Sequence, residues 1–128
     1  MEGITIEREV GERVVAALKA SAEVLSLTNG AVFAFHSKQP VTGPFVALGS
    51  YRTTYGRTKD GSYADSFAFA ITCVAESLTV VESLAASCVA AVNDLEVPAL
   101  DAEVRLAEST TDSDGTDTFC KLIFEIEL

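Results

Sequence analysis

The closing stretch alternates apolar Cys120, Leu122, Phe124, Ile126 and Leu128 with polar Lys121, Glu125 and Glu127. A period of two places the first set on one face of a strand and the second on the other. The chain must therefore build a sheet with a dry face and supply something apolar to cover it. The same alternation runs through Tyr63, Phe67, Phe69, Ile71 and Cys73, and through Leu100, Ala102, Val104 and Leu106, which are separated by Asp101, Glu103 and Arg105. Two other segments follow a helical period. Ile6, Val10, Val14, Leu18, Ala22 and Leu25 recur every three to four residues opposite Glu7, Arg8, Glu12, Arg13 and Lys19, and Val81, Leu84, Ala85, Cys88, Val92 and Leu95 repeat the pattern. These two amphipathic helices are the natural cover for the sheet.

Turn chemistry sets the expected boundaries. Thr5 caps the first helix, the early glutamates suit its N-terminal dipole, Gly11 weakens its first turns and Asn29-Gly30 stops it. Ala31–His36 reads as a short strand, and Ser37–Pro44, with Pro40, Gly43 and Pro44, reads as a loop. FVALGSYRTTY from Phe45 reads as a second strand, antiparallel to the strand from Tyr63. Between them the polar run Gly56–Ser62 ends in the hairpin signal Asp60-Gly61. A capping box at Thr79 and Glu82 opens the second helix, Pro98 closes that region, and Ser109–Asp117 reads as the turn of a last hairpin. The expected fold is α+β: one domain over residues 1–128, an antiparallel sheet with a long β-hairpin, covered on one face by two helices.

The charge is divided along the chain. The net charge is −10, but residues 1–59 carry +2 and residues 60–128 carry −12. An excess of this sign opposes a phosphate backbone, so sequence-specific nucleic-acid binding is not expected. Retained as two oppositely charged surfaces, it would suit head-to-tail association of identical subunits. The start, MEGITIEREVGE, lacks the basic and apolar blocks of a secretory signal, and no apolar run is long enough to cross a bilayer. Export and membrane insertion are therefore not expected. Cys73, Cys88 and Cys120, odd in number and set in apolar segments, read as buried reduced thiols.

Candidate chemistry is sparse. Asp112-Ser-Asp114-Gly115 resembles the start of a calcium loop, but aligning Gly115 on the central glycine puts Thr110 at the first ligand and Lys121 where a bidentate Glu is required. His36 is the only histidine, and the cysteines have no spacing that pre-arranges zinc ligands. Gly43, Gly49, Gly56 and Gly61 do not form a strand-to-helix phosphate loop. No catalytic group, metal or cofactor is expected.

The succession VVAALKAS, FVALGSY after a Pro/Gly segment, FAFAITCVAES, LTVVESLAASCVAAVNDL and VRLAESTTDSDGTDTFCKLIFEIEL is similar to the tail-completion and tail-terminator proteins of long-tailed bacteriophages. The likeness spans residues 10–128 and lies in the order of elements, and the chain lacks the Trp that often ends the family's aromatic strand. The resemblance implies a non-enzymatic virion protein, assembled in the host bacterial cytoplasm and found in the phage tail. It implies a homo-oligomeric ring, commonly a hexamer, on the end of the tail tube, with the tail tube protein and the head-tail connector protein as partners. Arg52, Arg57 and Lys59, in the segment between the second and third strands, would then contact a neighbouring subunit or the tube. Two alternatives carry their own signatures. A non-catalytic ligand-binding or interaction domain of a bacterial host would show an apolar pocket between sheet and helices. A small enzyme would bring His36 against Cys73 or Cys120.

Overall fold

The computed structural model describes residues 3–34, 43–58 and 61–128, in the order α1 (Gly3–Ala20), α2 (Ala22–Thr28), β1 (Val32–Ala34), β2 (Phe45–Thr58), β3 (Gly61–Ala75), α3 (Leu78–Val92), β4 (Glu96–Val97), a 3₁₀ turn (Pro98–Leu100), β5 (Ala102–Glu103), β6 (Arg105–Ser113) and β7 (Thr118–Glu127). The fold is α+β. Five strands form one sheet in the order β1-β2-β3-β7-β6, antiparallel throughout except for the parallel β1–β2 pair, and β4–β5 is a separate two-stranded ribbon.

Alternation does what it predicts in β7. Leu122, Phe124 and Ile126 are buried, whereas Lys121, Glu125 and Glu127 are exposed. Opposite them in β3 stand Ile71, Phe69 and Phe67, and this shared face packs under the helices through Ile6, Val10, Val14, Leu18, Val81, Leu84, Cys88 and Val92. Phe69 and Phe124 stack with ring centroids 5.5 Å apart and planes 14° apart.

The expected single first helix is two helices. Ser21 interrupts it, and its Oγ accepts the Val24 N–H at 3.3 Å, so the residue that ends α1 caps α2. The break shifts the helical phase: Val24 and Thr28 are buried, Ala22 and Leu25 are exposed, and Asn29 ends α2 in the left-handed region. Thr5 lies inside α1, not at its cap. Gly11 has a use beyond its weak helix propensity, since a Cβ there would come 2.8 Å from the Tyr51 hydroxyl. Its lack of a side chain lets α1 lie close against β2.

Other boundaries also move. Gly56–Thr58 and Gly61–Ser62 are paired strand, and the hairpin tip, Lys59-Asp60, lies outside the described residues. Of the expected strand Ala31–His36, β1 covers Val32–Ala34, and His36 lies outside the described residues. The second helix starts at Leu78 with Ser77 at the N-cap, so Thr79 sits within the first turn and the expected capping box does not form the cap. The expected strand from Leu100 to Leu106 is broken, because Pro98 starts a 3₁₀ turn that ends in left-handed Asp101, before the short β5.

The expected turn Ser109–Asp117 is mostly strand. β6 pairs with β7 as far as Ser113↔Thr118, which leaves Asp114–Asp117 as the turn. Asp114 Oδ1 accepts the N–H groups of Thr116 (2.9 Å) and Asp117 (2.7 Å), and these bonds hold its carboxyl below the usual carboxylate range. A carboxyl depressed in the folded state stabilises at neutral pH, and that contribution is lost as the pH falls through its folded value. We expect the Thr116 and Asp117 amides to lose exchange protection with acid in the native chain. Asp114→Asn, which keeps the acceptor oxygen but does not titrate, should remove that pH dependence. An identical acid response in the Asn variant would show that the turn is not held by this carboxylate.

Candidate assembly surface

Arg52 owes its position to a bulge. Before it, Val46 and Leu48 stand opposite Cys73 and Ile71 on the helix-covered face. The register then shifts between Gly49 and Arg52, with Ser50 at φ 56°, and side chains after the shift exchange faces. Tyr51 turns inward against Phe67, with ring centroids 5.5 Å apart, and Arg52, opposite Ala68, is exposed on the other face. Burial, with the Glu7 carboxylate adding to it, pushes the Tyr51 phenol above its ordinary value, so this anchor stays neutral.

Beyond Arg52 the hairpin outgrows the sheet. Among the described residues, β3 pairs with β7 from Ser66 to Ala75, and β2 pairs with β1 over Val46–Leu48. The pairs Tyr55↔Ala64, Gly56↔Tyr63, Arg57↔Ser62 and Thr58↔Gly61 therefore continue as a ribbon with no third strand among the described residues. Four pairs extend it by about 13 Å at the usual strand rise. Tyr55 is 54% exposed at its base. Arg57 belongs to this ribbon by its backbone, and Lys59 lies outside the described residues. Of the three basic residues singled out, the structure thus places Arg52 on the open face and Arg57 on the arm.

The opposite charge collects around the far strands. A groove of ≈ 660 Å³ is lined by Glu96, Asp101, Glu103, Glu125 and Glu127, with Arg105 among them. Arg105 bonds Asp94 (2.6 Å) and Glu103 (3.1 Å), both exposed pairs that add little to stability. Next to the groove, all nine residues of β6 are exposed. Asp112 of this strand lies in the segment whose composition predicts a turn, and Glu108 lies at its margin. The β-branched pair Thr110-Thr111 was the one local signal for a strand there.

Of the two alternatives, the enzyme's contact of His36 with Cys73 or Cys120 lies outside the described residues. Core side chains fill the space between helices and sheet among the described residues, and the two grooves described, at the acidic end and at ≈ 530 Å³ between α1–α2 and α3, lie on the surface. Cys73, Cys88 and Cys120 are free and buried, as expected. Cys73 donates to the Cys88 sulfur at 3.7 Å and faces Cys120 across the strand pair. That hydrogen bond, burial and the neighbouring sulfurs push its thiol far up, which holds it in the protonated, non-nucleophilic form. No helix among the described residues is long and apolar enough to cross a membrane.

Comparison with known proteins gives two positive results. A family model described as tail completion protein gp17 matches residues 12–120. A chain from the solved virion of a native gene transfer agent particle shares the fold with a TM-score of 0.73 at 20% identity, covering 89% of this chain and 90% of that one. No curated protein matches the sequence.

Proposed function

The chain belongs to the tail completion protein gp17 family and is a structural protein of the phage tail, and from that premise we propose that it caps the end of the tail tube as a homo-oligomeric ring, joining it to the head connector. The observation that carries this reading is a two-stranded arm, basic by sequence, that outgrows the sheet on a chain whose far strands gather acidic side chains. Such a molecule presents two different, complementary surfaces. Copies joined through unlike surfaces associate head to tail and close into a ring when the rotation between them closes. Six is the copy number we favour, with the tail tube protein and the head connector protein as axial partners. Arg52, Arg57 and Lys59 are the contacts we assign to a neighbour or to the tube. The solved neighbour's place in a virion particle supports assignment of this chain to the virion tail, after assembly in the host cytoplasm. The role requires no chemistry.

The test is assembly against salt. Ring formation, followed by light scattering, should weaken as salt rises past about 0.15 M, where the screening length falls to about 8 Å. Arg57→Glu with Lys59→Glu should weaken assembly by about tenfold, as close charged contacts across an interface do. Arg8→Glu with Lys19→Glu, exposed on α1 and equal in charge change, should leave it nearly unchanged. Indifference to both salt and the arm reversal would show that the charge division merely solvates the surface.

A further inference from the structure

The unpaired sheet edge gives the arm a specific destination. β6 is the last strand of the sheet, with β7 as its one neighbour among the described residues, and none of its nine residues is buried. An edge of this length offers a row of unused backbone donors and acceptors, and stable proteins cover, shorten or blunt such edges. Blunting is confined to its start, where Asn93 Oδ1 accepts the Leu106 N–H (2.8 Å) and the register shifts between Leu106 and Glu108; from Glu108 to Ser113 the strand has no Pro and no Lys. The opposite edge of the sheet is β1, described over Val32–Ala34.

The arm has the matching deficiency. A two-stranded ribbon is marginal in water without a third strand or a covered face, so Tyr55–Thr58 and Gly61–Ala64 gain order from any strand that pairs with them. Charge selects the partner. Residues 52–64 carry Arg52, Arg57 and Lys59 against Asp60, whereas β6 carries Glu108 and Asp112 with no ion-pair partner among the described residues, beside Glu125 and Glu127 of β7 and with the exposed Lys121 opposite Thr110 as that strand's one cation. Arg105, the one cation of β6, is already engaged by Asp94 and Glu103.

We propose that the β6 edge of one copy receives the β2–β3 arm of a second copy of this chain, extending the sheet from subunit to subunit. Main-chain pairing supplies the affinity, and the meeting of basic arm with Glu108 and Asp112 sets partner and register. The proposal rests on the ring reading above and adds its acceptor surface.

The full chain tests it with two reciprocal variants, Glu108→Lys with Asp112→Lys and Arg57→Glu with Lys59→Glu. Each alone should raise the concentration needed for assembly about tenfold, and an equimolar mixture of the two should restore it, because every arm then meets an edge of opposite sign. Glu12→Lys with Glu82→Lys, exposed on α1 and α3, controls for charge and should assemble as the native chain does. Hydrogen exchange should show the amides of residues 105–113 protected in the ring relative to the subunits dissociated by salt. A ring that forms with these amides unprotected, and that ignores the edge reversal, overturns the β6 assignment and leaves the ring reading standing. A native chain that stays monomeric at every concentration overturns both.

Discussion

Phe124→Ala is expected to lower the stability of the domain by about 3–5 kcal/mol, the range for removing a large aromatic side chain from a well-packed core. Phe124 has no exposed surface, lies at the centre of β7 and stacks on Phe69 of β3, while its other neighbours belong to a core shared with all three helices. Backbone bonds on both sides hold the surrounding strands, so the sheet cannot collapse into the space left behind. Chemical denaturation with an unchanged dependence on denaturant would report this as a loss of native stability. A cost near zero would mean that the face assignment of β7 is wrong. Glu125→Ala, one residue along and exposed, should change stability by less than about 0.5 kcal/mol.

Val24→Ala should cost about 2–3 kcal/mol, whereas the larger Leu25→Ala should cost under about 0.5 kcal/mol. The order reverses what side-chain size alone suggests. It follows from Ser21, whose capping bond restarts the helix and turns Val24 into the core, leaving Leu25 37% exposed. Thermal melts of the two variants measure it directly. Equal costs would place Val24 and Leu25 in one continuous stripe and remove the break between α1 and α2.

These two sites mark how far the sequence could be read. β7, α3 and β3 from Phe67 to Cys73 were legible because each keeps one hydrophobic period there and buries the face that period selects, whereas Tyr63 lies beyond a second register shift, between Thr54 and Tyr55. The helix break was not, because Ser21 sits among residues that keep a three-to-four spacing on both sides, and only its side-chain bond to Val24 reveals the cap. The 3₁₀ turn at Pro98 was hidden for a similar reason, as Leu100, Ala102 and Val104 alternate whether or not the backbone between them is extended. The sequence understates β6 because its Ser, Thr and Asp residues favour turns. They form strand because β7 offers a continuous ladder beside them. The charge division was plain from the sequence, but its geometry was not. A one-residue bulge at Ser50 decides that Arg52 points away from the core, and no composition signals which residue will be the extra one.

The strand order carries a consequence for synthesis. β7 is made after every other strand, yet it lies between β3 and β6 and not at the sheet's rim. Until it leaves the ribosome, Phe67–Ala75 has an open side and half of its apolar face lacks a partner, and that run contains no charge and no proline. Such a segment, rich in β-forming residues, is prone to pair with its like on another chain. The nascent protein therefore passes through an interval in which the future centre of its sheet is its stickiest surface. That interval closes only when residues 118–127 arrive, so slowing translation just before Thr118 should lower the yield of native protein more than slowing it within α1.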